Sequence, residues 1–484
     1  MMDSLKDKTV KGLFWGAVNS GSMQLLNIII GICLGRLLMP EDYALIGMIT
    51  IFTAIAGNLQ DCGFSTALIN LKDIKPNDYN SVFWFNVLMG AGLYIILFFS
   101  APLIAAYFHQ PALVPLSRFV FLSFVIASLG IAHGAYMVRN LMNKEKAIIS
   151  FVSLVCSGST GVALAFLGYG YWSFAWQQIT YIFVLNIGRF YYVEWRPNLR
   201  IDFKPVRQMF GFSNKILITA IVSTVSQNIL TFIFGRVFPI KAVGNFTQAF
   251  KWNTMAHSFV SNTVIQVAQS VFAQLNEESE RQLRAFRKML RFTSFIVFPA
   301  MFGFAFVAPE FIVITISSKW IESVPLLQML CLGGAFIPLH ILYQNLVISK
   351  GESGTYMWCN IAQILVQIVL ILTVYRFGIE VMVLAYSLLN IVWFFVWQYF
   401  AHRLIGITFF DAVKDVFPFA VITFLTMFVS YWIVKPIEHI VLLLGAKILL
   451  AGVIYFAAMK LSHARIMEEC LQYLLKKKQK SNHK

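Results

Sequence analysis

About fourteen times along its 484 residues, the chain returns to a run of mainly apolar residues roughly 20 long, the length a helix needs to cross a bilayer. Lipid offers no hydrogen-bond partners, so such runs fold as helices that satisfy their own backbone. The runs fall near 12–37, 43–68, 80–106, 114–138, 147–168, 170–192, 211–236, 244–275, 286–309, 323–349, 355–376, 380–402, 412–434 and 440–460. Only 12% of residues are charged and 58% are hydrophobic, against about 25% charged in a soluble domain. The fold class predicted is an all-α polytopic membrane protein.

A net charge of +16 would suggest nucleic acid in a soluble chain. Here Lys and Arg gather in alternate connections with an inward bias of about four to one, which orients the spans with both termini cytoplasmic. No nucleic-acid-binding pattern competes with that reading. Five of the six cysteines fall in spans and Cys470 in the tail, without metal-ligand spacing, so structural disulfides are not expected. The start, MMDSLKDKTVKGLFWG, reads as a cytoplasmic lead-in to the first helix rather than a cleaved signal.

The longest internal connection, 193–210, carries Pro197 and Pro205 and separates two sets of six spans. The predicted organisation is an N-terminal lobe at 1–192, a cytoplasmic linker at 193–210 and a C-terminal lobe at 211–402. Two further spans follow at 403–460, then a basic tail at 461–484. The lobes share a signature. The first span ends Asn27…Gly35-Arg36 before a turn with Pro40, and the seventh ends Gln227…Gly235-Arg236 before a turn with Pro239. Repeats of this kind are common in transporters, with the substrate site between the halves. We therefore expect two pseudo-repeated six-helix lobes around a central cavity, plus two C-terminal helices.

The eighth span, Gly244 to Leu275, is the least greasy. At about 100° per residue, Gly244, Gln248, Lys251, Met255, Ser258, Asn262, Gln266 and Gln269 fall on one face. Polar groups in a span are turned towards water or a polar neighbour, and a central Lys costs about 2.5–3.5 kcal/mol unless offset. The stripe reads either as interhelical glue or as a cavity wall for a polar, anionic substrate. Lys251, Gln248, Asn262 and Gln266 are the candidate contacts there. Asn19, Asn27 and Gln227 add polar groups on the repeated spans, and Arg36 and Arg236 stand at their outer ends. Trp252 suits stacking on a ligand ring or simple packing. Asp61 is an acid inside a span, which suits an H+ or Na+ coupling site or a cap at the kink near Gly63. Lys447, on an extra helix, is expected to snorkel or meet a lipid.

No Walker-A loop, GxSxG, HExxH or CxxC is present, and His133, His257 and His340 stand without partners at ligand spacing. The outer connections are short, which disfavours a membrane polymerase. The chain is not expected to be an enzyme.

Several stretches carry a family resemblance: LGRLLMPEDYALIGM, LQDCGFSTALI, NILTFIFGRVFPIKAVGNFTQAFKW, VFAQLNEESERQLRAFRKMLRF, SSKWIESVPLLQML and LVISKGESGTYMW. The chain resembles the polysaccharide-transport flippases of the multidrug/oligosaccharidyl-lipid/polysaccharide exporter superfamily, of the colanic-acid and lipopolysaccharide exporter type. It departs from them at Asn228, where an acid is common, and at Phe246, where a tyrosine is common. The resemblance implies a twelve-helix core of two lobes with two extra helices, working by alternating access in the bacterial inner membrane. The implied cargo is an undecaprenyl-diphosphate-linked oligosaccharide for surface polysaccharide. The partners expected are that lipid-linked glycan, membrane lipid and other polysaccharide-assembly membrane proteins, with no nucleic acid. The alternatives are a peptidoglycan-precursor (lipid II) flippase, a cation-coupled multidrug exporter of the same superfamily, and a scaffold in a glycan-assembly complex.

Overall fold

The computed structural model describes residues 2–61, 63–70, 73–199, 202–275, 278–462 and 467. Side chains are not described at 2–14, 16–19, 70, 208–216, 219, 266, 270 and 273. Most of the predicted basic tail lies outside the described residues.

The described residues fold as helices joined by short turns. In chain order these are α1 (Met2–Leu37), α2 (Pro40–Asp61), α3 (Phe64–Asn70), α4 (Pro76–Phe108), α5 (Leu113–Ser128), α6 (Ile131–Arg139), α7 (Asn143–Phe166), α8 (Trp172–Tyr192) and α9 (Lys204–Val237). There follow α10 (Ile240–Gln274), α11 (Ser279–Thr315), α12 (Ser323–Gly334), α13 (Ile337–Ser349), α14 (Ser353–Val374), α15 (Ile379–Ile405), α16 (Phe409–Val434) and α17 (Ile440–Leu461). Every predicted span corresponds to one helix or to two in series. Among the described residues, 11 helical segments are long and apolar enough to cross a membrane, or 12 if the bent pair α5–α6 is one span. The two other predicted spans, α8 and α10, are helical over 21 and 35 residues but less apolar. Fourteen crossings are compatible with these helices, and the chain is a multi-pass membrane protein.

The repeat extends through the helix order. α1 and α9 both end in a Gly-Arg turn, and each is followed by a corner of two residues, Leu38–Met39 and Phe238–Pro239, before the next helix. Leu34 and Phe234, one residue ahead of the Gly-Arg pairs, are buried. Later, α5–α6 and α12–α13 are each a span broken over two residues, Leu129–Gly130 and Ala335–Phe336. The sequence predicts both as single helices. A break frees carbonyls that lipid cannot satisfy. In the first, the Asn186 side chain on α8 donates to the Ile126 carbonyl, and Arg189 Nη1 donates to the Gly130 carbonyl at 3.1 Å. A Cβ at Gly130 would overlap the Asn186 side chain, so glycine is required for this approach.

The chain divides into two compact units, Met1–Gly244 and Asn245–Lys484. The sequence-based division at 193–210 differs from this by α9, which packs on α2, α3 and α4. Asn58 on α2 donates to Thr224 Oγ1 at 2.6 Å and to the Ala220 carbonyl at 3.3 Å. The connection after α8 is held on α4, where the Asn198 amide donates to Asn80 Oδ1 at 2.9 Å and Trp84 Nε1 donates to the Asn198 carbonyl at 2.7 Å. Phe64, Ala67, Leu68, Tyr79, Val82, Ala135 and Val206 form one buried cluster of this unit.

In the second unit α11 is the central element, packed against α12, α16 and α17. Its core is aromatic. Phe336 contacts Phe298 and Phe394 with ring centroids 5.5 and 5.8 Å apart, and Tyr343 contacts Phe286 and Phe394 at 4.9 and 5.4 Å. Edge-to-face rings of this kind add about 0.5–1.5 kcal/mol each beyond the area they bury.

Candidate transport site

From Lys251 onward, α10 carries its polar stripe on a face distinct from its packed one. Phe246, Ala249, Asn253, Val260, Val264, Ala268 and Phe272 are buried, at the three- and four-residue spacing of one helical face. The stripe runs from closed to open along the helix. Gly244 and Gln248 are buried, Lys251, Met255 and Ser258 are half-buried, and Asn262 and Gln269 are exposed. Lys251 and Asn262 are separated by about 16 Å of helix rise. The Gln266 side chain lies outside the described residues.

Gln248 has no exposed surface, and among the described residues neither of its amide atoms has a hydrogen-bond partner. An unmatched buried amide costs about 1–3 kcal/mol, so this position is held against that cost. Neighbouring α10 polar groups are used in packing. Asn245 donates to Glu322 at 2.9 Å, and the Asn253 side chain lies against Gly334 at the α12–α13 break. Trp252 is buried with its ring 5.1 Å from Phe311, so of the two roles read for it, packing is the one realised.

In the first unit, Asn27 and Gln227 are both exposed and both lie nine residues before an exposed arginine, about 13 Å along the helix. Gln227 donates to Ser223 Oγ at 3.2 Å. The Asn19 side chain lies outside the described residues. Arg36 is exposed at the end of α1. Arg236 is held by the end of α4. Its Nη1 donates to the Tyr107 carbonyl at 2.6 Å and meets the His109 ring, and its guanidinium lies 5.4 Å from the Tyr107 ring centre. Asp61 sits where α2 breaks before α3, beside Gly63 at φ 73. It accepts from the Ser65 amide at 3.3 Å and from the Ser65 hydroxyl. That is the geometry of a cap on α3.

Side-chain amides on α14 and α15 also meet. Gln363 donates to Asn390 at 3.3 Å, and Asn390 and Asn360 donate back to the carbonyls of Tyr386 and Tyr356. Of these bonds, Gln363–Asn390 joins α14 to α15, and each of the other two lies within one helix.

Two charge clusters were not legible in the sequence. Lys447 is buried, not snorkelling: its Nζ lies 2.8 Å from Glu310 Oε1 and 3.1 Å from the Phe306 carbonyl. The predicted span 286–309 stops one residue before this glutamate, whereas α11 continues to Thr315. Second, buried Asp415 on α16 accepts from Arg287 Nε at 2.7 Å and Arg291 Nη1 at 3.1 Å, and Arg287 also meets Asp411 at 2.9 Å. Each cluster fastens one of the last two helices to α11.

Together, the spans, the internal repeat and the polar stripe define a multi-pass protein with a transporter fold. A family described as "polysaccharide biosynthesis protein" matches residues 33–325, and the chain belongs to that family. A Klebsiella pneumoniae protein described as an uncharacterized membrane protein in the cps region is 24% identical over 373 residues, covering 75% of this chain and 76% of the relative. The lipopolysaccharide biosynthesis protein WzxC of Escherichia coli K12 is 24% identical over 337 residues, 68% of each chain. The teichuronic acid biosynthesis protein TuaB of Bacillus subtilis 168 is 23% identical over 363 residues, 74% of each. Among solved structures, the lipid II flippase MurJ in an inward closed conformation superposes with TM-score 0.73 at 14% identity, over 93% of this chain and 99% of its own. An inward-facing multidrug-resistance transporter of the MATE family, of the MOP superfamily, superposes with TM-score 0.64 at 16% identity, over 79% and 94%. At these identities the superpositions show a common fold.

Proposed function

We propose that this protein is a flippase that moves an undecaprenyl-diphosphate-linked oligosaccharide across the bacterial inner membrane by alternating access, for lipopolysaccharide, capsule or exopolysaccharide assembly. The observation that carries this reading is the α10 stripe of a chain in the polysaccharide-biosynthesis family. It offers a half-buried lysine and amides that become exposed along the helix, on an element otherwise packed by apolar residues. A lysine suits a diphosphate, and amides suit sugar hydroxyls, each of which both donates and accepts. Arg36 and Arg236, exposed at the ends of α1 and α9, suit phosphate release at the outer face. Both termini are cytoplasmic in this reading, which rests on the distribution of Lys and Arg. Coupling to H+ or Na+ belongs to the proposal only if Asp61 does more than the capping its bonds from Ser65 describe, and Asp61→Asn is its test. Other polysaccharide-assembly membrane proteins are the partners.

The test is depletion of the protein, followed by mass spectrometry of extracted polyprenyl-diphosphate glycans. Accumulation of a complete repeat unit, with loss of surface polysaccharide, is expected. The superposition on MurJ favours a second reading, flipping of the peptidoglycan precursor. Accumulation of that precursor would establish it. An unchanged lipid pool would refute both.

A further inference from the structure

The first unit holds a pair of cations that the stripe does not use. Arg189, in the last turn of α8, is half-buried. Its guanidinium does not extend along the helix end. It turns back onto the α5–α6 break, where Nη1 donates to the Gly130 carbonyl at 3.1 Å. Gly134, one turn into α6, leaves room for it, since a Cβ there would stand 3.3 Å from the guanidinium carbon. A guanidinium has five N–H donors, and Gly130 is the acceptor found for them among the described residues. Lys146, in the first turn of α7, is half-buried; α7 packs along α8, and Ile149, three residues after Lys146, lies against Gly188, the residue before Arg189, so the two cations share one stretch of that contact. Among the described residues the Lys146 ammonium has no hydrogen-bond or ion-pair partner. The adjacent carboxylates, Glu145 and Glu194, form no ion pair with either cation. Arg196 is near but is spent on the α8 end, donating to the Phe190, Val193 and Trp195 carbonyls.

Two like charges held together in a poorly hydrated place repel, and each loses hydration. Two other cations taken out of water, Lys447 and Arg287, meet carboxylates, Glu310 and Asp415. We infer that Lys146 and Arg189, over the glycine-lined break of α5–α6, bind a lipid-borne phosphate. Both residues lie in end turns of their helices, where a membrane span meets the headgroups. Arg189 supplies directed donors and Lys146 a point charge, a combination suited to a phosphate ester or diphosphate. The phosphate has two sources, an anionic phospholipid or the diphosphate of the cargo; the second alone rests on the flippase reading.

The experiment uses the full chain in a neutral detergent. Binding of farnesyl diphosphate and of dioleoylphosphatidylglycerol is measured by titration for the wild type, Lys146→Gln, Arg189→Gln and the exposed neighbour Lys144→Gln. At least one probe is expected to bind, and to bind about tenfold more weakly in Lys146→Gln and Arg189→Gln, the scale of one charged hydrogen bond. Lys144→Gln should bind as wild type. Loss confined to farnesyl diphosphate assigns the site to cargo, loss confined to phosphatidylglycerol assigns it to phospholipid, and loss of both shows that the phosphate alone is read. If neither probe binds the wild type, if Lys146→Gln binds both as wild type, or if Lys144→Gln weakens binding equally, the inference is overturned. Lys146→Gln decides the matter should Arg189→Gln aggregate, because Lys146 makes no structural bond. A negative result here leaves the depletion experiment untouched, so the two readings fail separately.

Discussion

Lys447 and Glu310 stand 137 residues apart in the chain and 2.8 Å apart in the fold, both buried. The pair joins α17 to α11. Among the described residues Glu310 Oε2 has no hydrogen-bond partner, so the lysine is the main compensation for a carboxylate in a membrane span. Removing one member of a buried pair costs about 3–5 kcal/mol, whereas replacing both with apolar residues is often neutral. Lys447→Met should therefore lower the apparent Tm in detergent, and Lys447→Met with Glu310→Leu should recover most of the loss. A double variant no more stable than the single one would show that the ion pair is not what fastens α17.

That pairing also makes Lys447 unsuitable as a reference for Lys251. The exposed Lys414 on α16 is better. Lys251→Ala should keep membrane expression and reduce export of the lipid-linked glycan strongly, while Lys414→Ala changes neither. Equal and small effects, read as surface polysaccharide per cell, would remove Lys251 from the transport path.

Asp61 offers a sharper choice. Its carboxylate accepts from Ser65, as a cap does. An amide oxygen can accept similar bonds, so Asp61→Asn should cost no more than about 1 kcal/mol. A cap alone therefore predicts near-normal glycan export from Asp61→Asn, whereas an ion-coupling acid predicts its loss. The geometry favours the first outcome, and complementation of a depleted strain distinguishes them.

Gly244 begins the stripe, yet its role in the first unit is steric. A Cβ there would overlap the Pro40 carbonyl, which is backbone and cannot rotate away. Gly244→Ala should cost about 1–3 kcal/mol by overpacking. Gly57→Ala, where nothing lies within 4 Å of the added carbon, should be neutral or slightly stabilising. Their apparent Tm values provide the comparison.

Much of this architecture follows from the chain alone because lipid imposes a simple rule on backbone. Runs of apolar residues locate the helices, and the Gly35-Arg36 and Gly235-Arg236 pairs mark two matching corners. The breaks at Leu129–Gly130 and Ala335–Phe336 were missed because apolar residues continue through both, although Gly130 marks the first and Gly333-Gly334 with Pro338 mark the second. What permits the first break is Asn186 and Arg189, more than fifty residues later in sequence, which satisfy freed carbonyls that lipid cannot. Glu310 was missed for a related reason: its partner lies on the last described helix, and a span estimate ended just before it. The α10 stripe was legible as a periodicity. Its gradient from buried Gln248 to exposed Asn262 was not, because periodicity gives a face and not the neighbour that covers it.

The corner between α1 and α2 is only Leu38 and Met39. The three peptide links from Leu37 to Pro40 reach at most about 10–11 Å. A joint with so little spare chain acts mechanically as a stiff elbow. A displacement of the end of α1 therefore carries the start of α2 with it, even though α1 packs on α7 and α2 on α9.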